Sequence, residues 1–346
     1  MQFKTAPAPH APPAVSVPRV MRRVLVALLP AAVVHSWFFG FGLMINFAAA
    51  AVTALLAEAV VLRLRGRSTR RALRDLSALV TAALLVFAIP PLVPIWIPML
   101  GAAAAVVLGK HLYGGLGRNV FNPAMVGYVV LLVSFPIEMT QWLPPRMGDI
   151  DYRYLTFPEH LNYALGGILP PDLTVDALTR ATPLDVVKEG VREGSSFAQI
   201  RTSSLFGDFG GRGWEWINNF IALGGLYLLY TNTIRWHIPV AVLAGLLGPA
   251  LLFNLVDAER FAPASFHLFS GATLLGAFFI ATDPVSAATT DRGRLIYGAA
   301  IGMLTYAIRT WGGYPDGFAF AVLLMNAAVP LIDRYTRTRI YGHRRG

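Results

Sequence analysis

Apolar runs of roughly twenty residues recur along the chain between short polar joints, a pattern that predicts a bundle of membrane-spanning helices. Ten segments fit, at about 24–42, 43–62, 76–91, 94–110, 122–137, 214–231, 237–255, 267–284, 295–311 and 317–333. A β-barrel would show alternating segments of about ten residues, and that pattern is missing. Several segments are short for a straight span. The third ends in Pro90-Pro91 and the eighth in Asp283-Pro284, which predicts broken or half helices at both places.

One long polar interruption, 138–213, divides the segments five and five. Two groups of five begin on opposite faces of a membrane, which is the arithmetic of an inverted repeat. Ser77–Pro91 and Ser270–Pro284 align at a constant offset of 193, with matches at the first Ser, one Ala and the last Pro. The fold class expected is therefore an all-α polytopic membrane protein of about ten helices in a five-plus-five inverted repeat. Its parts are a polar tail over 1–23, a first repeat over 24–137, the loop 138–213, a second repeat over 214–333 and a tail over 334–346. The proline-rich first stretch reads as a disordered tail and not as a cleaved signal peptide.

Composition agrees with this reading. Only 14% of the 346 residues are charged, against about a quarter in soluble domains. The net charge of +10 would suit nucleic acid, but its distribution speaks for topology. Lys4, Arg19, Arg22 and Arg23 precede the first segment. Arg63, Arg65, Arg67, Arg70, Arg71 and Arg74 crowd the second joint, and Arg334, Arg337, Arg339, Arg344 and Arg345 close the chain. An even number of spans puts all three groups on one side, the cytoplasm of a bacterial inner membrane, and no nucleic-acid partner is implied. The interruption then faces the periplasm. It holds seven Lys and Arg against ten Asp and Glu. Arg260 and Arg309 fit the charge rule poorly. With no cysteine, the chain cannot ligate an iron–sulfur cluster through thiolates, so any redox role needs a bound cofactor.

Polar residues inside apolar segments are costly and raise functional hypotheses. They are His35, Asn46, Glu58, Lys110, Asn122, Asn254, Thr282, Asp283 and Asn326. Lys110 is expected to extend its stem to the cytoplasmic interface. Glu58 is the one carboxylate well inside a segment, a candidate for ion coupling. Asn122 precedes Pro123 and Asp283 precedes Pro284. Topology puts both on one side in opposite repeats, so they either frame one polar pocket or mark two unrelated helix boundaries. No two of His35, His237 and His267 share a depth suited to haem ligation, and His111 falls in a loop. The glycine-rich Gly114–Asn119 stretch follows a membrane segment and not a soluble strand, so it is a weak nucleotide signal.

Several stretches together resemble a family of membrane flavoprotein subunits. They are GGLGRNVFNPAMVGY (Gly114–Tyr128), VDALTRATPLD (Val175–Asp185), GGRGWEWINNFIALGGLYLL (Gly210–Leu229), IRWHIPV (Ile234–Val240), SGATLLGAFFIATDPVSA (Ser270–Ala287) and MNAAVPLIDRYTRTRIYGH (Met325–His343). The family includes the D subunit of the Rnf electron-transport complex and, more distantly, the B subunit of sodium-pumping NADH:quinone oxidoreductase. The resemblance implies FMN joined through its phosphate to a threonine in a motif similar to D-x-x-S/T-G/S-A-T. Here Asp176, Thr179, Ala181 and Thr182 match it, with Thr182 as the acceptor. Arg180 departs from the usual small residue, although a guanidinium also suits a phosphate. Ser270–Thr273 matches the end of the motif more closely, but His267 stands where the Asp should be and the stretch is apolar.

The resemblance further implies a non-covalent riboflavin, for which Asn122 and Asp283 are the candidate contacts, and a fold similar to urea-transporter-like channels. It implies a subunit of an ion-translocating ferredoxin:NAD oxidoreductase that couples electron transfer to Na+ or H+ movement. The implied partners are the other Rnf subunits (RnfA, RnfB, RnfC, RnfE and RnfG), the lipid bilayer and a flavin transferase during maturation. The competing reading is an inverted-repeat channel or solute transporter with no redox cofactor.

Overall fold

Proline writes many of the helix starts. Pro18, Pro123, Pro136, Pro158 and Pro183 each stand in a first turn, where a missing N–H leaves no bond unmade. In the computed structural model, residues 16–146, 153–314 and 316–337 are described, so most of the two expected tails, 1–15 and 338–346, lies outside them. Among the described residues the chain is helical, with two isolated backbone bridges, Trp142 with Arg180 and Phe206 with Gly211, and no strand.

Each expected apolar segment coincides with a helix or a broken helix. The longer ones are Val17–Phe39, Gly42–Leu64, Trp214–Tyr230, His237–Val256, Asp291–Trp311 and Phe318–Thr336. Of these, Gly42–Leu64, His237–Val256 and Phe318–Thr336 are long and apolar enough to cross a bilayer. Shorter apolar helices are Ser77–Val86, Pro123–Ser134 and Trp96–Ala104, the last widening into a π-helix over Ala105–His111. This is a multi-pass helical membrane protein. The first helix corrects the expected boundary at 24: it begins at Val17, so Arg19, Arg22 and Arg23 sit on its first turns and not in a tail.

The expected break after the third segment is present; the eighth segment ends at Ile280, just before Asp283-Pro284, and is also broken earlier, at 270–272, and a side chain serves each of the two breaks. The third segment stops at Val86. The Asn46 amide donates to the Pro90 and Pro91 carbonyls at 3.2 and 3.3 Å, supplying partners that no helix provides there. The eighth segment is split into Ala264–Phe269, Thr273–Leu275 and a π-turn over Gly276–Ile280. Gly271 turns the chain at φ +62°, and a Cβ there would stand 2.3 Å from the Asp316 carboxylate. Arg309 closes the break, donating to the His267 and Ser270 carbonyls at 3.0 and 3.2 Å while pairing with Asp316 at 3.1 Å. Its side chain is 1% exposed. Of the two arginines that fit the charge rule poorly, Arg309 is thus a buried structural cation, whereas Arg260 is exposed.

The most extensive helix pair is His237–Val256 against Asp291–Trp311. Gly298 and Gly302, four apart, let the backbones approach, as small-xxx-small pairs do in membranes. A Cβ on Gly302 would lie 2.2 Å from the Val242 carbonyl oxygen. Gly302→Ala is therefore expected to cost about 1–3 kcal/mol by overpacking, read as a lower unfolding midpoint in detergent, whereas Gly248→Ala, facing open space, should change little.

The long interruption also builds structure. Phe157–Gly166, Val175–Leu178, Pro183–Arg192 and Phe197–Ile200 are helical. Leu184, Phe197, Ile200, Phe206 and Phe266 form a small core of their own beside the main one. That core seats the Pro183–Arg192 helix, and with it Thr182, against the bundle.

Candidate functional site

Thr182 is the N-cap of the Pro183–Arg192 helix. Its sequence, Thr-Pro-Leu-Asp, is a capping box in which Asp185 takes the acidic place. The Thr182 hydroxyl donates to the Asp185 carboxylate at 2.6 Å, and the Asp185 amide donates back to that hydroxyl at 3.2 Å. The Thr182 amide donates to the same carboxylate oxygen at 3.1 Å. Thr182 remains half-buried and faces two spaces.

The first is a cavity of about 150 Å³ running from Thr182 and Asp185 into the bundle. Phe87, Tyr128, Trp142 and Trp214 give it aromatic walls. Trp142 and Trp214 meet edge to face with ring centres 5.1 Å apart. Deeper in the cavity, polar atoms stand without partners among the described residues: both His35 ring nitrogens, Asn218 Oδ1 and Ser270 Oγ. Buried polar atoms rarely go unpaired, so a space lined with several suits a ligand carrying donors and acceptors on a flat ring. The second space is a small recess bordered by Arg180, Arg212 and Trp142.

The other residues of the expected motif take different places. Asp176 is exposed on the Val175–Leu178 turn, and the carboxylate that meets Thr182 is that of Asp185. Thr179 donates to the Val175 carbonyl at 3.0 Å. Ala181 is exposed, which leaves its neighbour approachable. Arg180 turns its guanidinium back onto the carbonyls of Asp176, Ala177 and Thr179 at 3.4, 3.3 and 2.9 Å. A large residue is accommodated because it closes the end of that turn. Arg180→Ser is therefore expected to leave Thr182 as reactive as before, checked by the yield of any covalent adduct. Thr273, the rival hydroxyl, is fully buried and donates to the His267 carbonyl at 2.7 Å.

A second cavity, of about 90 Å³, brings Asn122 and Asp283 together with Asn119, Thr81 and Thr282. Asn122 does cap its helix, accepting from the Met125 amide at 3.2 Å, but its side chain also donates across to the Ile280 carbonyl at 3.2 Å. Its amide donates to Asn326 Oδ1 at 3.0 Å, and Asn326 in turn donates to the Tyr297 hydroxyl at 2.7 Å. Asp283 accepts from the Val285 amide at 3.1 Å and the Ser286 hydroxyl at 3.0 Å. The helix-boundary reading and the shared-pocket reading thus hold together. Both cavities abut the same two elements, Pro123–Ser134 and the 276–282 stretch, with Met125 and Ile280 on one side and Asn122 and Thr282 on the other.

Lys110 departs from expectation. It does not extend to an interface: it is 2% exposed and its ammonium lies 2.5 Å from Glu58 Oε1. It also donates to the Ser77 hydroxyl at 2.7 Å, which donates to Asp75 at 2.5 Å. The π-helix sets the adjacent His111 toward the same carboxylate, at 3.6 Å, and not in a loop. Among the described residues no group of three His, Cys, Asp or Glu is arranged to hold a metal ion.

These features define a helical membrane protein with a long polar segment, a hydroxyl at the edge of an aromatic cavity and a second polar cavity on the same helices. The chain belongs to the NQR2, RnfD, RnfE family, whose model matches residues 4–342. It is 51% identical over 348 residues to a protein of Aeromonas hydrophila named as the D subunit of an ion-translocating oxidoreductase complex, covering 99% of each chain. Proteins of the same name from Escherichia coli (strain K12 / DH10B) and Aliivibrio salmonicida are 50% and 48% identical to it, over the whole of each chain.

Proposed function

We propose that the chain is a membrane electron-carrier subunit of an Rnf-type ion-translocating oxidoreductase complex, with FMN joined through its phosphate to Thr182. The setting of the Thr182 hydroxyl carries this reading: half-exposed at the mouth of the larger cavity, at a helix start and in contact with Asp185. Transfer of FMN from FAD would form the Thr182 Oγ1–P bond and break the pyrophosphate bond of FAD, with AMP leaving, and the hydroxyl proton would pass to Asp185 Oδ2, the acceptor within reach. A phosphoryl group on Thr182 Oγ1 would stand at the N-terminus of a ten-residue helix, where the helix dipole favours negative charge. Tyr128, Trp142 and Trp214 would hold the ring, with His35, Asn218 and Ser270 offering it the polar atoms that otherwise lack partners. Bound flavin supplies the redox chemistry. The chain supplies placement, exclusion of water and fixed dipoles.

The second cavity is the place for a non-covalent riboflavin, with Asn119, Asn122, Thr282 and Asp283 as its polar contacts. Both cavities abut Pro123–Ser134 and the 276–282 stretch, and electrons would pass between the two flavins along these elements. The arginine distribution supports cytoplasmic termini and a periplasmic Thr182, in ten spans arranged as an inverted repeat similar to urea-transporter-like channels. The complex would couple electron transfer between NADH and ferredoxin to Na+ or H+ movement, with the other Rnf subunits as partners and a flavin transferase acting during maturation.

The test is flavin fluorescence of the denatured chain, expressed with a flavin transferase. Fluorescence that migrates with the chain is expected. A chain that carries none fits a channel or solute transporter and overturns the proposal. Asp185→Ala is expected to slow attachment roughly 10²-fold, seen as weaker labelling at early times after induction.

A further inference from the structure

A third cavity, of about 130 Å³, lies beyond Leu184 on the same face of the bundle as Thr182, since Leu184 lines both spaces. Its lining carries four cations, Lys188, Arg192, Arg260 and Arg309; the acids that meet them are Asp316, which pairs with Arg309, and Asp185, whose charge acts on Lys188 from outside the lining. Lys188 is held by the Ile308 and Tyr314 carbonyls at 3.3 and 2.5 Å, and Arg192 by the Gly312 carbonyl at 3.3 Å. These cations are thus fixed in place, with N–H groups left over. Burial and then the neighbouring Arg192 charge push the Lys188 ammonium below its usual range, against the opposing pull of the Asp185 carboxylate. Asp257 accepts from the Glu259 and Arg260 amides and so fixes the turn that carries Arg260. His267 adds a second kind of signal: it is 7% exposed, lines the cavity, and its Nδ1 has no partner among the described residues.

The remaining walls are apolar. Phe261, Tyr306 and Trp311 line the cavity, and Phe253 touches all three, with ring centres 5.1, 5.8 and 5.2 Å away. The helix neighbours of Phe253 are Leu252, Leu255 and Val256, exposed by 65%, 74% and 83%. A cationic recess therefore runs into an exposed apolar belt at the end of a helix able to cross a bilayer. Inorganic phosphate would use the recess alone. An amphiphile with a phosphodiester head and acyl chains uses both.

We propose that this recess binds the headgroup of an anionic phospholipid, with Lys188, Arg192 and Arg260 on the phosphodiester and the acyl chains along the Leu252–Val256 belt. Guanidinium groups suit the phosphate oxygens, and the aromatic wall suits the membrane interface. The site stands on its own residues and does not depend on a flavin at Thr182.

The experiment is native mass spectrometry of the full-length protein in detergent with added phosphatidylglycerol or phosphatidylcholine. One phosphatidylglycerol is expected to be retained in preference to phosphatidylcholine. Lys188→Gln, Arg192→Gln and Arg260→Gln together should weaken its retention on the order of tenfold or more, with phosphatidylcholine unaffected. Arg260→Gln alone, an exposed change, should weaken it roughly fivefold, so the test survives if the triple variant fails to fold. Equal retention of the two lipids, undiminished phosphatidylglycerol in the Arg260→Gln protein, or its displacement by millimolar inorganic phosphate would each overturn the proposal.

Discussion

Lys110→Met is expected to destabilise the protein by about 3–5 kcal/mol, the usual cost of leaving one partner of a buried ion pair alone. Lys110 and Glu58 are each almost wholly buried, and Glu58 Oε2 already has no partner among the described residues. Removing the ammonium strands a carboxylate among apolar helices, with His111 at 3.6 Å as the remaining basic group beside it. The pair also ties three elements together: Gly42–Leu64 through Glu58, the start of Ser77–Val86 through Ser77, and the π-helix through Lys110. Glu58→Gln should cost less, because Lys110 keeps the Ser77 hydroxyl as an acceptor. Glu58→Leu combined with Lys110→Met should recover most of the loss, since a buried pair replaced by apolar groups of similar volume is often nearly neutral. Unfolding midpoints in detergent decide this. A Lys110→Met protein as stable as the parent would show that the pair does not hold the fold. The double variant then offers a fair test of Glu58 in ion coupling, because lost transport there is not lost structure.

Thr182→Ala is expected to abolish covalent flavin completely, while Thr182→Ser keeps it and Thr273→Ala has no effect. The difference lies in access. A transferase must bring a phosphoryl group to the hydroxyl along a line of attack, and a half-exposed N-cap permits that. The Thr273 hydroxyl is fully buried and committed to a backbone carbonyl. Loss of the Thr182 methyl leaves the capping hydroxyl in place, and Ser is as good an N-cap as Thr. Labelling that survives in Thr182→Ala but not in Thr273→Ala would reverse the assignment.

Much of the molecule is legible in the sequence, and what is not has physical reasons. Hydropathy locates every apolar segment, because burial in lipid or protein demands apolar runs whichever neighbour a helix has. Pro90-Pro91 marks the break after the third segment, because a proline ring ends a helix locally, whereas the break inside the eighth falls at Gly271 and carries no proline. Asn122 and Asp283 do share a pocket, where the Asn122 side chain reaches across to the Ile280 carbonyl three residues before Asp283. Lys110 defeats a sequence reading, because an interfacial lysine and a paired one look alike until the partner is known, and Glu58 lies 52 residues away. His111 does so too, because a π-helix has no simple sequence signature and its end resembles a loop. Asp185 has a usable signal: Thr-x-x-Asp before an apolar helix is a capping box. The family motif points instead to Asp176, which is exposed on its own turn. Nothing local announces that Trp142, Trp214, His35 and Asn218 meet in one cavity, since they come from three distant parts of the chain. The Gly298 and Gly302 pair is readable from spacing, although its partner helix is not.

The central claim is that Thr182 carries the flavin, and peptide mass spectrometry of the native chain tests it most directly. The account predicts that the peptide containing Thr182 is heavier by one FMN less one water, that fragmentation puts the added mass on Thr182, and that the peptide containing Thr273 is unmodified. An unmodified Thr182 peptide from protein expressed with an active flavin transferase would contradict it.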